Sequence, residues 1–156
     1  MASPLTLYVP IKQEMFAQLG AGEAQKSFVK GVGPALDALG IVHYARLSVI
    51  NNPAGSKFPI AAILLITSFD KNMRDYLNAF WISTAVKGAF IGLASIMQGG
   101  PENPQDFDFD AFVKFIEDNN LNKEVPAGSG QYESFYEAYP GITVADILDA
   151  FKQESN

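Results

Sequence analysis

Ile60-Ala61-Ala62-Ile63-Leu64-Leu65-Ile66-Thr67-Ser68-Phe69 is the stretch on which the fold turns. It is strongly apolar, it shows no polar alternation, and the turn sequence Asn51-Asn52-Pro53-Ala54-Gly55 lies upstream of it. A strand of that kind is dry on both faces and belongs inside a sheet that is covered on each side. Ile41 to Ile50, β-branched and aromatic, precedes the turn and reads as the other arm of a hairpin.

Further upstream, Leu5 to Ile11 sets Leu5, Leu7, Val9 and Ile11 against Thr6 and Tyr8, the alternation of a first strand. Between them, Lys12 to Leu39 carries apolar residues at helical spacing, with breaks expected near Gly20 and near Gly33-Pro34. Downstream, Asp70 or Asn72 can cap a helix that runs to about Met97 and is apolar on nearly every side, until Gly99-Gly100-Pro101 stops it. Phe109, Phe112, Val113 and Ile116 form the stripe of a short helix whose start carries Asp106, Asp108 and Asp110. Tyr132 to Tyr139 fits a fourth strand, Pro140-Gly141 turns the chain, and Thr143 with Asp146 resembles a capping box opening a helix over 144–151. This order describes an α+β chain: one domain over 1–156, with a ferredoxin-like, four-stranded antiparallel sheet and helices on one face. Helices on one side leave the other face of Ile60–Phe69 bare, and a second copy is the expected cover, which makes a homodimer.

Composition narrows the function classes. The chain has 156 residues, 48% of them hydrophobic, with twelve Phe, six Tyr and one Trp, enough to bury a sizeable core. No cysteine is present and His43 is the only histidine, so thiolate sites, iron–sulfur clusters and multi-histidine metal sites are excluded. The net charge of −6 is unevenly spread: residues 1–100 carry eight Lys/Arg against five Asp/Glu, and residues 101–156 three against twelve. Without a basic cluster the electrostatic footprint for nucleic acid is missing. Ala79 to Met97 is interrupted by Ser83, Thr84, Lys87 and Ser95, so it reads as a buried helix with no membrane role, and no leader pattern opens the sequence. A cytoplasmic location is the expectation.

Four segments resemble a family of poorly characterised bacterial dimeric α/β-barrel proteins: His43-Tyr44-Ala45-Arg46, Leu65-Ile66-Thr67-Ser68-Phe69-Asp70, Tyr76-Leu77, and Phe135-Tyr136-Glu137-Ala138-Tyr139-Pro140-Gly141. The likeness covers roughly residues 5–150, with the motifs in the family's order. It implies the ferredoxin-like fold and the dimer. It implies no particular chemistry, because such folds host haem enzymes, cofactor-free oxygenases and binding modules alike. Lys71 stands where the resemblance implies Gly.

Alternation along the second strand places Ile41, His43, Ala45, Leu47 and Val49 toward the helices, and Val42, Tyr44, Arg46, Ser48 and Ile50 on the open face. Thr6, Tyr8, Tyr44, Arg46 and Ser48 then line the expected cavity between two copies. Arg46 is suited to reading an anionic or carbonyl group, or alternatively to pairing with Glu133 or Glu137 across the dimer. His43 is either a half-buried histidine bonded to a neighbour or a catalytic or haem-binding group. Asp106, Asp108, Asp110 and Glu117 imitate a calcium loop, but Ala111 replaces its obligatory Gly, and a helix start explains them better. The run from Gly20 to Ser27 lacks the glycines of a phosphate loop. A small-ligand-binding module without a bound cofactor is the leading expectation. Beside it stand a cofactor-free or haem-dependent oxidoreductase, and a structural dimer without ligand.

Overall fold

The computed structural model describes residues 2–12, 21–103, 106–124, 132 and 141–154. Three strands, β1 (Ser3–Pro10), β2 (Val42–Asn51) and β3 (Ile60–Phe69), form an antiparallel sheet in the order β1-β3-β2. Five helices occur among the described residues: α1 (Ala21–Leu39), α2 (Met73–Ile82), α3 (Thr84–Ile96), α4 (Phe109–Asn119) and α5 (Val144–Glu154). The dry strand takes the centre, as its two apolar faces require. The expected fourth strand lies outside the described residues except for Tyr132, which bridges Glu124.

Register explains the layering. Leu5, Leu7 and Val9 of β1 face Thr67, Leu65 and Ile63 of β3, which in turn face Ala45, Leu47 and Val49 of β2. This side meets the helices, and Leu5, Leu7, Val9 and Leu65 are fully buried on it with Tyr76, Leu77, Phe80, Val86 and Ile116. Phe69 stacks on Tyr76 at 3.6 Å between ring centroids, and the Tyr76 hydroxyl donates to Thr67 Oγ1 at 3.0 Å. The opposite side presents rows: Pro4, Ser68, Tyr44; then Thr6, Ile66, Arg46; then Tyr8, Leu64, Ser48. Beyond β1, Leu121 N–H donates to Thr6 O, and the Asn120 side chain accepts from Thr6 N–H.

Three sequence expectations change here. The single helix expected up to Met97 is two helices, bent by 105° at Ser83, whose extended backbone interrupts the ladder. The bend is how a segment apolar on every side finds cover: α2 buries Tyr76, Leu77 and Phe80, while α3 turns to bury Val86, Phe90, Leu93 and Ala94. No single helix is long and apolar enough to cross a membrane. The break expected at Gly33-Pro34 does not occur, and α1 runs through Pro34, which is exposed. It ends at Gly40, whose φ of 59° supplies the left-handed cap, with its N–H on Leu36 O. Finally, β2 bulges. Val42 opposes Phe69 and Tyr44 opposes Ser68, which leaves His43 as the extra residue and shifts Val42 onto the helix side with the core.

Caps follow short polar side chains. Asn72 takes the N-terminus of α2, accepting from Asp75 N–H, and Asp108 does the same for α4 from Ala111 N–H. Thr143 and Asp146 form the reciprocal box at α5. Asp106 and Asp110 pair with Asn103 and Arg74, and no group of three or more His, Asp or Glu able to hold a metal ion occurs among the described residues.

Candidate functional site

The bulge puts His43 at the end of the sheet, where it meets the turn that leaves β3. Its Nε2 lies 2.9 Å from Asp70 Oδ1, with the two side chains only 19% and 11% exposed. Asp70 is held from two further directions. Its own N–H donates to Ile41 O at 2.8 Å, and its second carboxylate oxygen accepts the first helical N–H of α5, from Val144, at 2.8 Å. The Asp70 carboxylate therefore joins β2, through His43, to α5, through an otherwise orphaned N–H, while its backbone N–H ties the β3–α2 turn to Ile41.

The turn itself is tight. Lys71, directly after Asp70, has φ 82°, the left-handed conformation that glycine adopts without penalty. Ser3 Oγ donates to Lys71 O at 3.2 Å and ties this turn to the start of β1.

A carboxylate only accepts hydrogen bonds, so the His43 nitrogen facing it carries a proton, Nε2–H. In the neutral ring Nδ1 then keeps a lone pair. Asp70 is its sole hydrogen-bond partner among the described residues. The ring lines a cleft of about 490 Å³ between α1, the start of β2 and the start of α5. Val29, Leu36, Val42, Ala45, Val144 and Leu148 supply its apolar wall, and Asp37, His43 and Tyr44 its polar side chains. Small-molecule sites have this makeup: mostly apolar, with few polar groups converging.

Of the six residues singled out in the sequence, His43 and Tyr44 line this cleft. Thr6, Tyr8, Arg46 and Ser48 lie with Tyr44 on the open face of the sheet. Tyr44 is 52% exposed and belongs to both surfaces. Arg46 follows on the same face about 7 Å further along the strand. Tyr8 sits two strands away, about 10 Å from β2. Glu133 and Glu137, the alternative partners for Arg46, lie outside the described residues. Sequence reasoning missed Asp37 and the role of Asp70. Of the two caps the sequence offered, Asn72 takes the N-terminus of α2, and Asp70 instead holds His43 and α5.

A second hollow of about 370 Å³ lies between Asn72, Arg74, Glu117, Asn120, Lys123 and Tyr132. Burial pushes the Tyr132 hydroxyl above its ordinary range, and it donates to Glu124 at 3.1 Å. Asn122 Oδ1, of a residue lining this hollow, is buried without a hydrogen-bond partner among the described residues. No protein-family model matches the chain, and neither does any curated protein or solved structure.

Proposed function

We propose that the chain is a small-molecule-binding module, acting as a homodimer of ferredoxin-like protomers, whose ligand sits in the cleft beside His43 and extends over Tyr44 toward Arg46. The observation that carries this reading is the cleft itself: an apolar wall of α1, β2 and α5 residues around a histidine fixed by Asp70. The ligand class follows from the lining. Val29, Leu36 and Leu148 suit an apolar body, and Arg46, exposed at the next position on the face of Tyr44, suits a carboxylate or carbonyl head.

The dimer rests on the open face, where Leu64 and Ile66 lie half-buried between Tyr8, Tyr44 and Arg46. A twofold axis there would set like against like and enclose the Tyr44–Arg46 side of the cleft. The order β1-β3-β2 is the one three of the four strands take in a ferredoxin-like sheet, in keeping with the resemblance of the segments around His43, Phe69 and Tyr139.

Phenylacetate and phenylacetone share one apolar body and differ in the head group, which makes them a matched pair of probes. At about 100-fold over its Kd a ligand stabilises by about 2.7 kcal/mol, so a bound probe raises Tm by about 5–10 °C in a domain of this size. Tyr44→Ala should abolish the shift with both probes, and Arg46→Ala should reduce it, most for phenylacetate. No shift with either probe, or shifts unchanged in both variants, contradicts the reading. A His43-dependent Soret change on adding haemin assigns the cleft to haem instead.

A further inference from the structure

Resting on that reading of the cleft, we propose that His43 is a general base there, moving a proton at the carbon beside the keto group of an apolar ketone, with Asp70 as its positioning residue.

Three observations converge on this. His43 lines the cleft and its side chain is only 19% exposed, so the base works in a site largely withdrawn from water. Asp70 Oδ1, 2.9 Å from Nε2, selects the tautomer with a bare Nδ1, which is the state a base needs. Asp70 is itself pinned by Val144 N–H and by its own N–H on Ile41 O, so ring and carboxylate are oriented before a ligand arrives. A purely structural histidine does not need to border an apolar cleft of ligand size. Among the lining residues Tyr44 alone offers a hydroxyl, a donor to an oxygen on which charge develops.

The step balances without a co-reactant. The C–H bond beside the carbonyl breaks and its proton bonds to Nδ1. The electron pair of that bond becomes the C=C bond of the enolate, while the carbonyl π pair moves onto oxygen, facing the Tyr44 hydroxyl. The imidazolium then returns a proton to carbon and restores the ketone. Asp70 keeps its charge throughout and steadies the transient cation.

In D2O the imidazolium exchanges with solvent, so turnover writes deuterium into the substrate. The test is proton NMR of phenylacetone in D2O with the full chain, read as loss of the methylene signal, alongside thermal stabilisation by the same compound. Saturable exchange is expected, at least 100-fold faster than with equimolar imidazole. His43→Gln should return it to the imidazole-free rate and Asp70→Asn should reduce it at least ten-fold. Because the chain has one histidine, its ¹⁵N imidazole spectrum reads the tautomer unambiguously: protonated Nε2 and bare Nδ1 in the wild type, lost in Asp70→Asn. That spectrum needs no folded His43 variant. Stabilisation by phenylacetone without exchange overturns the base and leaves the binding reading intact. Exchange that survives His43→Gln, or a wild-type ring protonated on Nδ1, likewise overturns it. Absence of both stabilisation and exchange overturns base and binding together.

Discussion

Lys71 holds φ at 82° beside the carboxylate that organises the site, a conformation that strains any residue with a Cβ by about 1–2 kcal/mol. Lys71→Gly should therefore raise the stability of the chain by about 1 kcal/mol, measured by urea unfolding, with the His43–Asp70 contact intact; a loss of stability would show that the turn is not strained. The position was legible in the sequence as a departure, since Lys stands where the resembling segments imply Gly. Tyr76 makes a second prediction. Burial among Phe69 and Phe80 pushes its hydroxyl far above the ordinary tyrosine range, with the Thr67 hydrogen bond only partly opposing it. The unfolded chain gives up this proton near pH 10 and the folded chain does not, so stability is full below pH 10 and falls as pH rises beyond it. At pH 11 this one group removes about 1.4 kcal/mol relative to pH 8, and Tyr76→Phe should lose correspondingly less in the same comparison. His43 shows where reading by residue stops. Strict alternation put it on the helix face, but a bulge is a two-against-one mismatch between strands, and one strand's pattern does not contain it.

Elements were most legible where the chain carries its own punctuation. Ile60–Phe69 was bounded to the residue because its apolar run ends at Asp70, and α5 begins where Thr143 and Asp146 close their box. The bend at Ser83 was not legible. No Gly or Pro marks it, and what drives it is the need of α2 and α3 to bury different faces, a property of the assembled layers. Across the bend Lys87 Nζ sits 3.7 Å from the centre of the Trp81 ring. For α5 the tether matters more than the packing, since Ile147, Leu148 and Phe151 are exposed along it. Its order depends on the box and on Asp70. Hydrogen bonds from Thr143 hold the Asp146 carboxyl below its ordinary range, so the box keeps its charge until acid protonates it, and its support of α5 is lost as pH falls through that lowered value. Thr143→Ala should speed amide exchange in α5 about five-fold, the effect of losing an N-cap, while β3 amides stay unchanged. Unaltered α5 exchange would mean that the helix is held elsewhere.

For the whole molecule, the sequence predicts a sheet with one bare face; the rows across β1, β3 and β2 set Ile66 between Thr6 and Arg46 and Leu64 between Tyr8 and Ser48, with both apolar side chains half-buried. The candidate site was half legible. Tyr44 and His43 were picked out by residue type, but the cleft that unites them is lined from α1, β2 and α5, elements distant in sequence, an arrangement that local pattern does not encode. The proposed dimer predicts sedimentation at twice the 16.9 kDa chain mass at micromolar concentration, and Leu64→Asp should reduce it to a single chain that remains folded. A stable wild-type monomer would refute the pairing. The hollow beside His43 and the hollow beside Asn122 and Tyr132 are rival places for the proposed ligand, and titration of phenylacetate followed by NMR decides between them. The account predicts saturable shifts in the His43 ring and in Val42, Tyr44 and Val144; shifts confined to Asn122, Lys123 and Tyr132, or none that saturate, would contradict it.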